Sequence, residues 1–324
     1  MYPNQIFLGL TLYDIFICIG IILCFFTFGR LADKRKIRAR LQNFALLCGA
    51  LAIVLGFGSA VLFQAIYNIP ATGRFEIATN TGATFYGGLI GGVAVFLAAY
   101  FGIGPYAMRR AGIDGYHARS FFAMASCAVP AIVIAHAFGR LGCLTAGCCH
   151  GAPTDAWFGI LMHGDMGYIK YVPTQLFEAI FLFILFGVLY LNAKEGKRYN
   201  LPFYMATYGV WRFIIEFLRG DYRGSVGLPI TPSQLIALLM VLGALGVFFL
   251  EKKITDRLEA EEKEIVDLDD DCEESDGDES AELGEEIDEA VGDGSEAPEI
   301  SEKCDESAEN SGEIAEKSEK DEEN

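Results

Sequence analysis

Apolar residues are gathered into long runs along the first 250 positions of the chain, and short polar stretches separate these runs. The hydrocarbon core of a bilayer is about 30 Å thick, which a helix of about 20 apolar residues crosses. Seven runs approach that length, so the pattern predicts an all-α polytopic membrane protein with about seven transmembrane helices. The predicted helices are Gly9–Gly29, Phe44–Tyr67, Phe85–Gly104, Phe121–Phe138, Thr174–Leu191, Phe203–Leu218 and Ser233–Leu250.

Basic residues are distributed unequally between the polar stretches. Fourteen Lys and Arg side chains fall in the first, third and fifth loops and directly after the last helix, whereas five fall in the other loops. Loops rich in Lys and Arg stay in the cytoplasm. The distribution therefore predicts an N-terminus outside the cell and a cytoplasmic C-terminus, which places the loop 139–173 on the outer face.

The net charge of the whole chain describes neither its apolar part nor its acidic part. The net charge is −18 and the isoelectric point is about 4.6, yet the mean hydropathy is +0.32. Residues 1–255 carry a net charge of +9, and residues 256–324 carry −27. We predict a membrane-embedded domain over 1–255 and a disordered acidic cytoplasmic tail over 256–324, because so polar a segment buries no core. A soluble polyanionic enzyme and a nucleic-acid-binding protein are excluded.

Polar residues interrupt the sixth apolar run at helical spacing. Tyr208, Arg212, Glu216 and Arg219 fall within about 80° of one another on a helix and form one polar stripe. Ionisable groups at membrane depth are costly, so such a stripe indicates a functional site. A buried ion ladder that locks helices together is one interpretation. An anion site is the other, because the arginine fork binds phosphate in a bidentate manner.

Two further helix starts carry polar side chains. In the fifth run, Pro173 begins the helix, and Gln175 and Glu178 share one face three residues apart. A capping arrangement accounts for the proline but not for Glu178. In the third run, Tyr86 precedes several glycines, which favour close helix packing. A tyrosine at this level is typical of an interfacial anchor. Only the other unusual polar residues of the chain make Tyr86 a candidate site residue.

The outer loop opens with glycines and cysteines around one arginine. The residues of interest are Gly139, Arg140, Gly142, Cys143, Cys148, Cys149 and His150. Glycines let backbone approach a ligand, and Arg140 brings positive charge to the end of the fourth helix. Three interpretations of the thiols stay open: a disulfide that leaves one cysteine over, a zinc site completed by His150, and a reactive thiolate whose pKa is lowered by Arg140. No ligand spacing typical of zinc is present, so no metal is predicted.

Together these constellations resemble the prolipoprotein diacylglyceryl transferase family. The match covers about the first 250 residues, in which five short motifs occur in the family's order. The motifs are Phe85-Tyr-Gly-Gly-Leu-Ile-Gly, Gly139-Arg-Leu-Gly with Gly147 and Gly151, Pro173-Thr-Gln-Leu-Phe-Glu, Tyr208-Gly-x-x-Arg212-x-x-x-Glu216-x-x-Arg219-x-Asp221, and Thr231-Pro-Ser-Gln234.

The resemblance implies a multi-pass transferase of the bacterial plasma membrane that serves lipoprotein biosynthesis. Such an enzyme moves a diacylglyceryl group from phosphatidylglycerol to the lipobox cysteine of a prolipoprotein signal peptide, and no cofactor is expected. By this resemblance Arg140 and Arg212 are the essential pair around the lipid head group, with Tyr86 as a third catalytic candidate. Substrate-binding residues are expected at Tyr13, Gly139, Gly142, Cys143, Gln175, Glu178, Tyr208, Glu216 and Arg219.

The chain departs from the family's pattern at the predicted site. Tyr86 replaces the usual histidine before the paired glycines, and Cys143 stands where asparagine usually follows Gly-Arg-x-Gly. Ala146 and Cys148 replace a usual asparagine and a usual acidic residue. Two alternatives therefore stay open. A divergent paralogue binds the phospholipid but uses a different acceptor, or a non-enzymatic protein retains the lipid-binding scaffold.

Overall fold

The structure is a computed structural model that describes residues 9–77, 85–113, 115–164, 167–220 and 230–289. Helices account for most of it. They are α1 (Leu12–Lys34), α2 (Ala39–Thr72), α3 (Phe85–Arg110), α4 (Tyr116–Arg119), α5 (Phe121–Ala146), α6 (Thr174–Lys194), α7 (Asn200–Ile215) and α8 (Pro232–Glu289). Two strands, β1 (Ile160–Gly164) and β2 (Gly167–Tyr171), lie between α5 and α6, and a 3₁₀ turn, Glu216–Leu218, follows α7.

All seven apolar runs form helices, which confirms the all-α polytopic architecture. Among the described helices, α1, α2, α3, α5, α6 and α8 are each long and apolar enough to cross a membrane. Helix α7 has 16 residues, which correspond to about 24 Å of helix and fall short of the bilayer core. The 3₁₀ turn extends its reach, so the predicted sixth run Phe203–Leu218 is present with a change of helix type near its end.

Helix α5 is the most buried of the membrane-length helices and forms the centre of the bundle. It packs against α1, α6 and α7, while α2 packs against α3. Glycine permits both contacts: a Cβ atom on Gly20 would lie 3.1 Å from Ala135 O, and one on Gly56 would lie 3.1 Å from Gly88 O. Small residues associate helices in lipid, because lipid tails already solvate large apolar side chains. The prediction that the glycines after Tyr86 serve helix packing is confirmed.

Large apolar side chains cover the outside of the bundle. Ile22, Phe26, Ile53, Ile184 and Phe249 are each between 63% and 71% exposed. A soluble monomer rarely exposes so much apolar surface. The outer surface is therefore suited to contact with lipid.

The loops that carry most basic residues meet at one end of the bundle, here called the basic end. Arg35 Nε donates a hydrogen bond to Ala193 O at 3.1 Å, and its Nη2 donates to Lys197 O at 2.5 Å. Arg40 Nη1 donates to Ala111 O at 3.0 Å. The first, third and fifth loops are thus adjacent in space. The orientation of this end toward the cytoplasm stays a prediction.

The outer loop contains a β-hairpin that the apolar pattern does not predict. Strands β1 and β2 are antiparallel, with Ile160 opposite Tyr171 and Met162 opposite Ile169. Met162 is fully buried, so one face of the hairpin is covered by other parts of the protein. Strands of five residues are too short for their alternation to stand out from a loop.

The predicted acidic tail begins within α8. The chain divides into two units, Met1–Glu259 and Ala260–Asn324. Disorder is expected from residue 256, whereas the backbone of α8 stays helical to Glu289. Residues 256–289 include eleven glutamates, and glutamate has a high helix propensity. The prediction for residues 290–324 lies outside the described residues, and a separate cytoplasmic tail stays a prediction.

Candidate active site

Four chain segments meet at the other end of the bundle, here called the site end. They are the end of α5, the start of α6, the end of α7 and the start of α8. The backbone N–H of Gly151 donates to Val172 O at 2.8 Å, and that of Ala152 donates to Leu218 O at 3.0 Å. A Cβ atom on Gly151 would lie 2.5 Å from Leu218 O, so this crossing requires glycine. The outer loop is therefore tied to the chain that follows α7.

Glu178 of α6 organises the first of two buried ion clusters. Its side chain is 1% exposed, and its Oε2 lies 3.1 Å from Arg140 Nε of α5. Its Oε1 accepts a hydrogen bond from the Tyr208 hydroxyl of α7 at 2.8 Å. The Arg140 contact is an ion pair that is poorly aligned as a hydrogen bond, so Nε has no hydrogen-bond partner among the described residues. A buried carboxylate requires such partners, and a capping role does not describe Glu178.

Arg212 of α7 forms the second cluster with Glu216. Its Nη2 lies 2.9 Å from Glu216 Oε2 and donates to Ser233 Oγ at 3.3 Å. Glu216 Oε1 accepts from Thr231 Oγ1 at 3.1 Å, and Thr231 with Gln234 forms a capping box that fixes the start of α8. Arg212 Nη1 is buried without a hydrogen-bond partner in the described part of the chain. The pairing fits a buried ladder, but the unpartnered nitrogen favours an anion site.

The predicted polar stripe divides between these two clusters. Tyr208 belongs to the first cluster and Arg212 to the second. Helix α7 ends before Arg219, which has an extended backbone with φ −87° and ψ 140°. The prediction of one helical face from Tyr208 to Arg219 is therefore wrong at Arg219. The helix ends because the chain turns to bring Leu218 O to the N–H of Ala152.

His136 is a residue of this site to which the sequence assigns no role, because no motif surrounds it. Its Nε2 lies 3.9 Å from Glu178 Oε1, and its ring centroid is 5.3 Å from that of Tyr208. Both of these neighbours belong to the first cluster, so His136 lies beside that cluster. One signal was present in the sequence: His136 precedes Arg140 by four residues, which places both on one face of α5.

Three cysteines are brought together at the turn that follows α5, here called the thiol turn. The sulfur atoms of Cys143, Cys148 and Cys149 all lie within 4.8 Å of one another, and these cysteines are not joined by disulfides. Hydrogen bonds from the other two thiols, together with the charges of Arg140 and Arg219, hold the pKa of Cys149 below its usual range. The same hydrogen bonds raise the pKa of Cys143, and the pKa of Cys148 is raised as well, so the interpretation of a reactive thiolate applies to Cys149 alone.

The first turn of α6 holds the backbone of the thiol turn. Gln175 Nε2 donates to Cys148 O at 2.5 Å, and Thr174 Oγ1 donates to Cys149 O at 3.0 Å. His150 is directed elsewhere, since its ring lies against Tyr171 with 3.9 Å between centroids. A zinc site with His150 as its fourth ligand is therefore not formed. A substrate-binding role for Gln175 stays a prediction.

The remaining predicted residues differ in how closely they approach their neighbours. The Tyr13 ring lies against Gly142, where a Cβ atom would be 3.0 Å from Tyr13 Cδ2. Gly139 makes no comparably close approach, because the nearest atom to its Cβ position is 3.8 Å away. Tyr86 lies in the first turn of α3. Its side chain, like Asp221, lies outside the described residues, and the roles of all of these residues stay predictions.

The sequence of the chain is similar to known proteins across this region. A family model described as prolipoprotein diacylglyceryl transferase matches residues 4–250. The phosphatidylglycerol–prolipoprotein diacylglyceryl transferase of Clostridium tetani is 30% identical over 249 residues, which cover 74% of this chain and 92% of that protein. The protein of the same name from Clostridioides difficile is 31% identical over 211 residues, or 63% of this chain and 77% of that protein. Transferase 2 of Clostridium perfringens is 40% identical over 134 residues, or 40% of this chain and 52% of that protein.

The match includes both ion clusters, the thiol turn and the apolar part of α8. It leaves out the acidic residues that follow position 250. The apolar helices and the relatives together indicate a multi-pass bacterial membrane protein. With most of its length matched, the chain belongs to the prolipoprotein diacylglyceryl transferase family.

Proposed function

We propose that the chain is a phosphatidylglycerol–prolipoprotein diacylglyceryl transferase of the bacterial plasma membrane. The reaction moves a diacylglyceryl group from phosphatidylglycerol to a cysteine thiol of a prolipoprotein and releases glycerol phosphate. Family membership and the names of the three relatives support this proposal. The observation that carries it is a pair of arginines, the partly buried Arg140 and the buried Arg212, each held against a buried glutamate in one site.

Such a site suits a reaction in which negative charge develops on a phosphate leaving group. The acceptor sulfur attacks the glycerol carbon that bears the phosphate, and the electrons of the broken C–O bond stay with the phosphate oxygen. Arg140 and Arg212 are held in place by Glu178 and Glu216 before the substrate arrives, so they stabilise this charge without reorganisation. We assign the unpartnered Nη1 of Arg212 to the phosphate of the lipid head group.

The acceptor is proposed to be the lipobox cysteine at the end of a prolipoprotein signal peptide. A signal peptide carries an apolar segment with a small-residue cleavage region at its end. The candidate site lies at helix ends, where α5 and α6 meet the outer loop. A thiol at the end of an apolar segment is thus suited to reach the two arginines.

The test is a transfer assay with the purified full-length chain in phosphatidylglycerol vesicles. The donor carries labelled acyl chains, and the acceptor is a synthetic lipobox peptide, with a peptide that has serine in place of its cysteine as the control. Arg140→Ala and Arg212→Ala should each lower the transfer rate by about 100-fold or more, because each removes a donor to the developing charge. Arg74→Ala alters an exposed arginine of another predicted outer loop and should leave the rate nearly unchanged.

Complementation of a strain depleted of its own transferase gives a second readout. A wild-type chain that inserts into the membrane but lipidates no prolipoprotein would contradict the proposal. Transfer to other thiols but not to the lipobox peptide would instead identify a divergent paralogue. Binding of phosphatidylglycerol without any transfer would identify a non-enzymatic scaffold.

A further inference from the structure

We infer that Cys143, Cys148 and Cys149 form a three-thiolate site for Zn²⁺, and that the open fourth position of this metal takes the acceptor thiol. The first half of the inference concerns metal binding and is independent of the reaction. The second half rests on the proposed function. Together they revise the expectation from sequence that the chain binds no metal.

The positions of the sulfur atoms carry the metal site. All three lie within 4.8 Å of one another. Zn–S bonds of about 2.3 Å in a tetrahedral site place sulfur atoms about 3.8 Å apart. Small side-chain rotations therefore bring the three sulfurs onto one ion. A disulfide would use two of them and leave the third without a role, whereas an ion uses all three.

The backbone explains how adjacent cysteines serve the same ion. Neighbouring residues in regular structure direct their side chains apart, which argues against a shared ion in the sequence. Cys149, however, has a left-handed backbone with φ 62°, a conformation that is unfavourable for a residue other than glycine. Gly147 is left-handed too, with φ 75°, and the Cys148 N–H donates to Cys143 O at 3.2 Å. Strain of this kind is retained at functional sites.

The thiol turn is held by groups other than its sulfurs. The hydrogen bonds from Gln175 and Thr174 fix the carbonyls of Cys148 and Cys149. The contacts from Gln175 and Thr174 involve no sulfur atom, and the Cys148 thiol makes one long hydrogen bond of 3.7 Å to Cys143 O, which metal binding replaces. Metal sites depend on such supporting contacts for the orientation of their ligands. The turn therefore has the support that a preformed site requires.

Charge and exposure fit a catalytic ion. Three thiolates and Zn²⁺ leave one negative charge, and Arg140 lies one helical turn before Cys143 at the end of α5. Cys148 is exposed, so the remaining position of the metal is accessible from outside the bundle. Zinc with three protein ligands and one open position is typical of catalytic rather than structural sites.

The open position supplies what the proposed reaction needs from its acceptor. A thiol bound to zinc loses its proton, here to water, and becomes a thiolate. The thiolate attacks the glycerol carbon that bears the phosphate, and the C–S bond forms as the C–O bond breaks. Glycerol phosphate leaves with the bond electrons and takes up a proton from water. The resulting thioether is a weaker ligand and leaves the metal.

The first test measures metal in the full-length chain, purified in detergent without chelators from cells grown with zinc. Mass spectrometry of the elements should find one zinc per chain. Replacing Cys143, Cys148 and Cys149 together by serine should lower zinc content by about tenfold or more. The matched control is Cys18→Ser, which alters an exposed cysteine outside the group and should keep the zinc. Three metal-free thiols, or a disulfide between two of them, would overturn the site.

The second test measures diacylglyceryl transfer after zinc is removed by a chelator and after it is restored. Removal should lower the rate by about tenfold or more with a higher KM for the peptide, and Zn²⁺ should restore both. Transfer that is unaffected by removal would overturn the acceptor role alone. Bound zinc with no transfer at any metal loading would contradict the proposed function but not the metal site.

Discussion

The basic end and the site end of the bundle both place arginines against protein partners, but the partners differ. Arg35 donates to the backbone carbonyls of Ala193 and Lys197 at the basic end. At the site end, Arg140 and Arg212 face carboxylates, and Arg212 keeps a buried nitrogen without a partner in the described part of the chain. The two carbonyl contacts of Arg35 join the first loop to the fifth. A carboxylate that holds one edge of an arginine leaves the other edge for an anion.

The largest expected contrast is between glutamine substitutions at Arg140 and Arg35. Arg140→Gln should lower the transfer rate by about 100-fold, since it removes the positive charge that stabilises the leaving phosphate. Arg35→Gln should lower stability by about 1 kcal/mol, because one partly buried and one exposed carbonyl lose a charged donor, while the rate per folded chain stays nearly constant. Transfer rates and thermal unfolding in detergent measure the two effects.

Equal loss of activity in both variants, after correction for the folded fraction, would remove the distinction between the two ends. Arg140→Lys sharpens it further, because lysine keeps the charge and loses the fork. We expect this variant to regain only part of the lost rate.

A smaller contrast is expected between two histidines. His136→Ala should lower kcat by about tenfold, because the residue lies against Glu178 and Tyr208 and its loss disturbs the geometry of the first cluster. His136→Gln should recover most of the rate, which a purely steric role would not produce. His117 packs against Tyr100 at the basic end, with 6.0 Å between centroids. His117→Ala should lower thermal stability and leave kcat unchanged, and a reversed pattern would contradict the assignment of His136.

The smallest contrast concerns two glutamates. Glu216→Gln should raise the KM for phosphatidylglycerol about fivefold, because Arg212 loses a charged partner that positions it. Glu195 is exposed and pairs with Lys197 at 2.6 Å, and a hydrogen bond from Lys197 lowers the pKa of Glu195. This ion pair stabilises the fold at pH values above the ordinary pKa of a glutamate. The stabilisation is lost as the pH falls through the lowered pKa of Glu195.

Solvent screens this exposed pair. Glu195→Gln should therefore change the unfolding temperature by less than about 1 °C between pH 7 and pH 5. Calorimetry or dye-based unfolding at both pH values measures this. A large loss of stability would show that exposed charges at the basic end matter more than its backbone contacts.

The helices were predictable because the length of an apolar run is enough to indicate a helix that spans a bilayer. The same physics makes Glu178, Arg212 and Glu216 stand out, since a charge in an apolar run requires partners. Their pairing is visible in the sequence only for Arg212 and Glu216, which are four residues apart. The ion-pair partner of Arg140 lies on another helix, so only the structure shows that this partner is Glu178.

Other features depend on contacts between distant segments. The β-hairpin is too short to show a pattern, and the end of α7 before Arg219 follows from the backbone contact between Leu218 and Ala152. The convergence of three sulfurs depends on the left-handed conformation of Cys149, which no residue preference predicts. His136 was recognisable only by its spacing from Arg140.

The backbone crossing at Gly151 has an evolutionary consequence. Gly151, Ala152, Val172 and Leu218 form a frame of main-chain hydrogen bonds in which no side chain takes part. The length and course of the loop are thereby fixed independently of the residues at positions 143 and 148. Those positions are free to exchange an amide or a carboxylate for a thiol without displacing Arg212. In the proposed enzyme, the thiol turn can therefore change its chemistry while the proposed phosphate site stays in place.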